Sequence, residues 1–273
     1  AIRLPHVFDD AYSGALMEIC RSLDVRLVVP TIDTELPVLA ALRADFQKAG
    51  IELLVSSEKL VAECSDKRRT AQFFEDHNLP TPALYSPESV TFPVLVKPYD
   101  GSCSAGIVKI SSPDQITDQI RSDPKNIYCQ YIDHAEHSEY TVDLYYDHTS
   151  NLRCVVPRRR LEVRGGEVAK AVTERNEIVS SLFKSLGTLD GARGCLTLQL
   201  FRHNQTGEHW YIEINPRFGG GYPLSRLAGA DFQSWLIGEY LMGRTVETFD
   251  NWRENILMLR YDAEVIIDDY RHG

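Results

Sequence analysis

Hydrophobic and polar residues alternate with a period of two in several stretches of the chain, a pattern typical of β-strands with one buried face. The clearest case is a pair of runs, 196–201 and 210–214, on either side of a polar loop. Leucines occupy every second position of the first run, so Gln199 faces away from them. In the second run the alternate apolar residues are Trp210, Ile212 and Ile214. The pattern predicts a hairpin in which Gln199, Glu213 and Asn215 converge on the polar face. The alternative is an ordinary hairpin whose polar face is only solvated.

The first sixty residues combine helical periodicity with short apolar runs. Helices are predicted over 12–21 and 35–49, and buried strands over 25–30 and 51–55. This order favours a parallel α/β sheet. Because two strands do not make an open sheet, we expect the amino-terminal part to be incomplete or abbreviated.

Beyond residue 65 the pattern predicts a longer α/β unit. A helix is predicted from about residue 65 to 79, with Ser65 or Asp66 as its N-cap. Further helices are predicted over 112–121, 176–186 and 232–242. Strands are predicted over 93–97, 107–110, 127–132, 140–146, 153–164 and 256–267.

Composition narrows the class of protein. The 273 residues are 43% hydrophobic and 25% charged, as in soluble globular proteins. A net charge of -10 argues against a general nucleic-acid binder. No apolar run is long enough to span a membrane and the first residues lack a signal-peptide pattern, so we expect a cytoplasmic protein without membrane partners. The six cysteines show no CxxC spacing, which indicates neither a zinc site nor a disulfide framework.

A loop of small residues, 99–106, lies between two predicted strands. Glycine and serine let several backbone N–H groups point at one anion. The alternative is a plain glycine-rich hairpin, since no Walker A lysine follows. Lys97 ends the strand before the loop and could neutralise a phosphate. Lys67, in the predicted helix thirty residues earlier, could supply a second positive charge.

Three consecutive arginines, Arg158 to Arg160, form a basic run. Such a run is either a solvated strand edge, where charge discourages aggregation, or one wall of a pocket for an anionic substrate. In the second case Arg158 and Arg160 face the same side. The eight histidines show no paired metal-ligand spacing, and no serine lies in a nucleophile elbow, so nothing supports a hydrolase or a zinc enzyme.

Taken in chain order, these stretches resemble the ATP-grasp superfamily, and within it the carboxylate-amine ligases related to the large chain of carbamoyl-phosphate synthetase. The resemblance covers roughly residues 65 to 235. The motifs that carry it are Ser65-Asp66-Lys67, Phe92 to Pro98, the loop from Gly101 to Gly106, Gln130-Tyr131-Ile132, Glu139 to Asp143, Gln199, and Ile212 to Arg217. The segment from Pro30 to Leu36 resembles the end of the domain that precedes the grasp.

The resemblance implies an α/β (α+β) architecture, the ATP-grasp fold of two α+β subdomains that grip ATP. A partial open parallel α/β domain is expected before it, at residues 1–63. The ATP-grasp domain is expected at 64–273, with a small lid-bearing subdomain at 64–131 and a metal- and substrate-binding subdomain at 132–273.

The resemblance also implies a role for each matching residue. The ATP phosphates are assigned to Lys67, Lys97, Gly101, Ser102, Ser104 and Gly106. Adenine and ribose are assigned to Gln130, Tyr131, Ile132 and Glu139. The magnesium ion, for which Mn²⁺ is an alternative, is assigned to Gln199, Glu213 and Asn215. Catalysis is assigned to Arg217 and Lys97, and substrate binding to Arg158, Arg160, Arg217 and Gly220. Many relatives carry a carboxylate where Gln199 stands. The glutamine lacks this charge, which is expected to weaken metal binding without abolishing it.

The function implied is an ATP- and Mg-dependent ligase that joins a small carboxylate, such as an amino acid, to an amine through an acyl phosphate. Small-molecule carboxylate and amine substrates are then the expected partners, and a homodimer is compatible with them. Two alternatives stay open: a carboxylase or carbamoyl-phosphate-type enzyme that phosphorylates bicarbonate, and a non-catalytic ATP-binding regulatory module.

Overall fold

Twelve strands form three sheets within residues 1–101 and 106–268, the part of the chain that the computed structural model describes. The strands are β1 (Leu27–Val28), β2 (Glu52–Leu53), β3 (Leu84–Tyr85), β4 (Val94–Pro98), β5 (Val108–Ile110), β6 (Asn126–Gln130), β7 (His137–Tyr146), β8 (Leu152–Arg164), β9 (Glu167–Thr173), β10 (Gly194–His203), β11 (His209–Asn215) and β12 (Leu257–Leu259). The α-helices are α1 (Tyr12–Ser22), α2 (Leu36–Lys48), α3 (Glu58–Ser65), α4 (Lys67–Asp76), α5 (Asp118–Ser122), α6 (Glu177–Leu186), α7 (Tyr222–Leu227) and α8 (Phe232–Leu236).

The amino-terminal unit follows the predicted alternation of helix and strand. Strands β1 and β2 pair in parallel, with Leu27 opposite Glu52. Helices α1 and α2 cover them, and Leu39 and Phe46 are buried in the core they share. The apolar positions of α2 recur at helical spacing, so burial of one face explains why this segment is helical.

A small antiparallel sheet has the strand order β3-β6-β4-β5. Val94 and Val96 of β4 are buried in its core. The single helix predicted over residues 112–121 is wrong, because the chain forms a 3₁₀ turn, Pro113–Gln115, and then the short helix α5. The hydroxyl of Thr117 accepts the Ile120 N–H at 3.3 Å, which caps α5 and separates the two pieces.

A large antiparallel sheet has the order β11-β10-β7-β8-β9-β12. Val142 of β7 and Leu196 and Leu198 of β10 are fully buried on one face, in the core that also contains Ile178 of α6. The strands turn alternate residues to the opposite face. Polar side chains of β7, β8, β10 and β11 therefore share that second face. Neither β9 nor α7 was predicted.

The hairpin of β10 and β11 contains a bulge that changes which residues face the core. Gln199 pairs with Glu213, whereas Leu200 pairs with Tyr211, so Ile212 is an extra residue. Tyr211 and Ile214 are the buried residues of β11. The predicted apolar face of Trp210, Ile212 and Ile214 is therefore wrong, because the bulge breaks the alternation. Leu196, Leu198 and Leu200 do share the buried face as predicted.

Of the two carboxyl-terminal elements predicted, the helix has the expected extent but changes its geometry, and the strand is shorter than predicted. The helix expected over 232–242 begins as α8 and continues as a π-helical turn, Ile237–Leu241. The strand expected over 256–267 is limited to β12, which pairs with β9. Within the described ranges, no helix has both the length and the apolar character that a membrane crossing requires.

Candidate active site

A cleft lies between the small sheet, helix α4 and the hairpin of the large sheet. Its apolar walls consist of Ala71, Pro82, Leu84, Leu95, Ile127, Cys129, Ile132, Phe201 and Ile212. The rings of His134 and Phe201 meet edge to face at its rim, with centroids 4.8 Å apart. Lys67 and Lys97 also line the cleft. An apolar slot with two cations suits a flat ring that carries an anionic group.

Phe201 and Ile212 were not predicted as site residues. The alternation of β10 places Phe201 on the same face as Gln199, and this position could have identified Phe201 as a site residue. Nothing in the sequence marks the bulge that turns Ile212 toward the cleft.

The two lysines are positioned by different elements. Lys67 opens α4, whose N-cap Asp66 accepts the Arg68 N–H at 2.9 Å. Burial lowers the pKa of Lys67, the charge of Glu213 raises it, and the neighbouring charge of Lys97 lowers it again. Lys97 lies near the end of β4 and is nearly buried. Two positive charges held this close favour an anion between them.

The small-residue loop lies beside these lysines, and part of it falls outside the described residues. Ser102 and Ser104 are in that part, so their predicted roles stay predictions. The Lys67 ammonium donates to the carbonyl of Gly101. Gly106 has a φ of +72°, and a Cβ there would lie 3.2 Å from the Pro98 ring. Glycine is therefore required where the loop rejoins β5.

The segment that links the two sheets lines the cleft with Gln130, Tyr131 and Ile132. The Gln130 N–H donates to the Ala83 carbonyl at 2.8 Å. The Ile132 N–H has no partner among the described residues, so this backbone group is free to bind a ligand. The ring of Tyr131 lies under the Lys109 ammonium, 3.8 Å from it.

The predicted convergence of Gln199, Glu213 and Asn215 is confirmed. Gln199 Nε2 donates to Glu213 Oε1 at 3.1 Å, and Asn215 Nδ2 donates to the same oxygen at 2.9 Å. A half-turn of each amide presents its oxygen instead, which yields three hard oxygen ligands at one point. In the described part of the chain, no three His, Cys, Asp or Glu side chains form a metal cluster. With one carboxylate and two amide oxygens, the Gln199, Glu213 and Asn215 set fits a divalent cation that brings anionic ligands of its own.

Glu139 and Arg160 form an ion pair beside this set. Arg160 Nη1 lies 2.6 Å from Glu139 Oε1 and 3.4 Å from Gln199 Oε1. Burial raises the pKa of Glu139, and the Arg160 charge opposes that shift. A ligand hydroxyl that binds Glu139 has to share this carboxylate with Arg160.

The structure corrects the substrate role predicted for Arg158. Arg158 donates to both oxygens of Asp143, from Nε at 2.8 Å and from Nη2 at 3.0 Å, and both side chains are fully buried. Ser225 Oγ donates to the same carboxylate at 2.5 Å. The alternation that puts Arg158 and Arg160 on one face holds. Helix α7 covers Arg158 nonetheless, so its charge is neutralised within the protein.

Arg217 is held by a residue of the amino-terminal unit, Asp33. Its Nε donates to Asp33 Oδ1 at 2.7 Å and its Nη2 to Oδ2 at 2.5 Å. Burial lowers the pKa of Arg217, but the hydrogen bonds and charge of Asp33 outweigh burial and raise it. Asp33 was not predicted as a site residue, because the 184 positions between the partners leave no local pattern to read.

The three glycines after Arg217 pack directly on the polar face of the sheet. A Cβ at Gly220 would lie 2.3 Å from Glu167 Oε2, and one at Gly221 would lie 2.1 Å from Arg158 Nη1. Glycine is required at position 221, because the Arg158 side chain it meets is fully buried, whereas the exposed end of Glu167 can move away from position 220. The substrate contact assigned to Gly220 stays a prediction.

The matching family models agree with this arrangement. A model described as an ATP-grasp domain matches residues 64–221, more than half of the chain. The chain belongs to the ATP-grasp family. A second model, the PylC-like N-terminal domain, matches residues 1–54. The resemblance inferred from the motifs is thereby confirmed.

Solved structures share the ATP-grasp fold. The biotin carboxylase domain of 2-oxoglutarate carboxylase from Hydrogenobacter thermophilus has a TM-score of 0.72 and 15% identity, over 94% of this chain and 62% of that one. Pyruvate carboxylase from Rhizobium etli has a TM-score of 0.71 and 14% identity, over 94% and 25%. L-amino acid ligase from Bacillus licheniformis has a TM-score of 0.67 and 15% identity, over 88% and 62%.

These likenesses confirm the expected fold class. The chain spans less than two thirds of the length of each of these relatives. No curated protein sequence matches it. The residue roles and the domain limits expected from the sequence stay predictions.

Proposed function

We propose that this ATP-grasp protein is an ATP- and Mg-dependent ligase that joins a small carboxylate, such as an amino acid, to an amine. One observation carries the proposal: Glu213, which the amides of Gln199 and Asn215 contact, also lies close enough to Lys67 of the cleft and to Arg217 for its charge to act on both. Adenine recognition alone would not need Arg217 or the set around Glu213.

The cleft accounts for binding of ATP. In this proposal the adenine ring occupies the apolar slot, and the free N–H of Ile132 donates to a ring nitrogen. The ribose hydroxyls donate to Glu139, and the phosphates lie between Lys67 and Lys97. The Hydrogenobacter thermophilus domain was solved with MgADP and bicarbonate, which supports this use of the shared fold.

Gln199, Glu213 and Asn215 would hold Mg²⁺, or Mn²⁺ as an alternative. Their single carboxylate would leave a net positive charge on the cation, which would favour anionic phosphate ligands. When bound, the cation supplies positive charge to the phosphate oxygens during phosphoryl transfer.

The protein groups then support two chemical steps. In the first, a carboxylate oxygen of the substrate attacks the γ-phosphorus, the bond to the β,γ-bridging oxygen breaks, and ADP leaves. In the second, the amine nitrogen attacks the acyl carbon, the phosphate leaves with the electrons of the broken carbon–oxygen bond, and the nitrogen loses a proton to solvent. Lys97 and Arg217 stabilise the negative charge that develops on the oxygens. Neither step requires a nucleophilic side chain.

Bicarbonate phosphorylation is the second candidate, because the fold is shared with the biotin carboxylase domain of one carboxylase and the biotin carboxylase subunit of another, and the first was solved with bicarbonate. Its distinguishing requirement is bicarbonate in place of the organic acid. A homodimer is a further proposal. It is supported by the dimeric Hydrogenobacter thermophilus domain, although the site described above takes all its residues from one chain.

The decisive experiment measures ADP and phosphate release with carboxylates and amines added in pairs. Pair-dependent release supports the ligase, bicarbonate-dependent release supports the carboxylase, and no release refutes both. Glu213→Ala is expected to lower Mg-dependent turnover at least 100-fold. Glu208→Ala, an exposed carboxylate on the same hairpin, is the matched control and should keep wild-type turnover.

A binding measurement tests the nucleotide assignment separately. Saturating Mg·ATP should raise the melting temperature, because only the folded chain presents the cleft. An unchanged melting temperature would count against the nucleotide site itself.

A further inference from the structure

A carboxylate from the amino-terminal unit holds the arginine that is expected to stabilise the reacting anions. The two hydrogen bonds between Arg217 and Asp33 run side by side, from Nε and Nη2 to the two carboxylate oxygens. Such a paired contact restricts the plane of the guanidinium as well as its position. Asp33 lies in the segment that matches the PylC-like N-terminal domain, whereas Arg217 lies in the ATP-grasp match.

Asp33 stands on a rigid support. It opens a 3₁₀ turn, Asp33–Glu35, that leads directly into α2. Leu36 and Leu39 anchor α2 in the amino-terminal core. Glu35 accepts a hydrogen bond from the Tyr12 hydroxyl of α1 at 3.2 Å. The carboxylate of Asp33 is thus presented by a turn that is fixed from two sides.

The amino-terminal unit also contacts the large sheet at a second place. Arg193, next to β10, donates to Glu52 of β2 at 2.6 Å. The Ser57 N–H donates to the Gly191 carbonyl at 2.9 Å. Gly191 has a φ of +78°, and a Cβ there would lie 2.2 Å from Ser57 Oγ, so this approach requires glycine. These contacts set the orientation of the unit that delivers Asp33.

Arg217 retains donors for a ligand. Its Nη1 donates to the Phe218 carbonyl at 3.1 Å, so three of the five guanidinium N–H groups have partners among the described residues. Thr197 Oγ1 donates to the Arg217 carbonyl at 2.8 Å, which holds its backbone against β10. The side chain is 20% exposed, so the two remaining N–H groups can reach an anion.

We propose that Asp33 is a positioning residue for Arg217, so that the anion-binding geometry of the active site depends on the docked amino-terminal unit. The inference rests on the proposed ligase function, in which Arg217 binds carboxylate and phosphoryl oxygens. Without Asp33 the arginine regains its rotamers, and its charge is drawn toward Glu213 and Glu167. Asp33 does not line the nucleotide cleft, so its loss weakens the transition state more than ATP binding.

The test compares three substitutions of Asp33 in the full chain, with a carboxylate and amine pair that the wild type joins. We expect Asp33→Ala to lower kcat at least 10-fold while the Kd of Mg·ATP changes less than twofold. Asp33→Asn keeps one acceptor and should lie between alanine and wild type, and Asp33→Glu should restore part of kcat. The matched control is Glu35→Gln, in the same turn but without contact to Arg217. Its amide oxygen still accepts from the Tyr12 hydroxyl, so the turn keeps its support and wild-type kcat is expected.

Three kinetic outcomes would overturn the inference. An unchanged kcat in Asp33→Ala shows that Arg217 needs no positioning. A higher kcat shows that Asp33 restrains the arginine instead. An equal loss of kcat in Glu35→Gln assigns the effect to folding of the turn.

A stability cycle tests the contact without turnover. The melting temperatures of Asp33→Ala, Arg217→Ala and the double variant are compared. Interacting side chains predict that the double variant loses less than the sum of the two single losses. Additive losses would overturn the inference. Absence of wild-type turnover with every substrate pair refutes the proposed function instead, and the cycle still decides whether the contact exists.

Discussion

The substitution Asp143→Asn would break the fully buried ion pair between Asp143 and Arg158. In the wild type, Asp143 accepts two hydrogen bonds from Arg158 and one from Ser225. Asp143→Asn removes the negative charge and leaves the guanidinium buried, with an amide that can accept only on one side. Removal of one partner from a buried pair costs about 3–5 kcal/mol. For a protein of this size each kcal/mol lowers the melting temperature by roughly 2–4 °C.

Urea unfolding followed by far-UV circular dichroism measures this loss. The matched control is Asp250→Asn, because Asp250 pairs with Arg175 at 2.5 Å on the surface, where the two side chains are 57% and 34% exposed. Exposed pairs contribute only about 0–1 kcal/mol. A second comparison adds Arg158→Met to Asp143→Asn. Removal of both charges should recover part of the stability, because no unpaired buried charge remains.

Two results would refute this reasoning. The first is a loss in Asp143→Asn no larger than that in Asp250→Asn, which would mean that the guanidinium is not desolvated. The second is a small loss of stability together with a roughly tenfold rise in KM for the carboxylate substrate, which would support the substrate-binding role first predicted for Arg158.

Three further outcomes are expected. Phe201→Ala should raise the Kd of ATP about tenfold, measured by calorimetry, because it removes one aromatic wall of the cleft; an unchanged Kd would contradict the adenine slot. Gly221→Ala should lower the free energy of unfolding by about 1–3 kcal/mol through its clash with Arg158, whereas Gly14→Ala, with no atom within 4 Å, should not lower it. Burial, and then a neighbouring carboxylate, raises the pKa of Tyr12 to about 12. The folded chain therefore keeps the Tyr12 proton that the unfolded chain releases above about pH 10. The free energy of unfolding should fall as the pH rises from about 10 to about 12, and Tyr12→Phe should make this fall less steep. An equal slope in both proteins would show that Tyr12 does not contribute.

Local periodicity accounts for the parts of the fold that could be predicted. Alternation along β10 fixes Leu196 and Leu198 in the core, and the same alternation brings Gln199 to the side where Glu213 lies. Asp66 caps α4 because its side chain is short and polar, and the cap places Lys67 at the first turn. Such features depend on a few neighbouring residues, so they can be predicted from the amino-acid sequence.

Departures from regular geometry could not be predicted in the same way. The bulge at Ile212 adds one residue opposite β10, and no residue type nearby requires it. Periodicity also cannot distinguish Arg158 from Arg160, since both face one side of β8. Helix α7 covers only the first of them, which makes it a buried structural residue and leaves the second beside Glu139.

The chain by itself determined that Arg217 would follow the end of β11, close to Glu213 and Asn215, because all of these residues belong to one short segment. Only the tertiary structure decided that Asp33 would hold this arginine. Their contact joins two separately packed units across 184 positions, and its geometry depends on how those units dock. Docking is set by side-chain shape and charge over a whole interface, which no local pattern records.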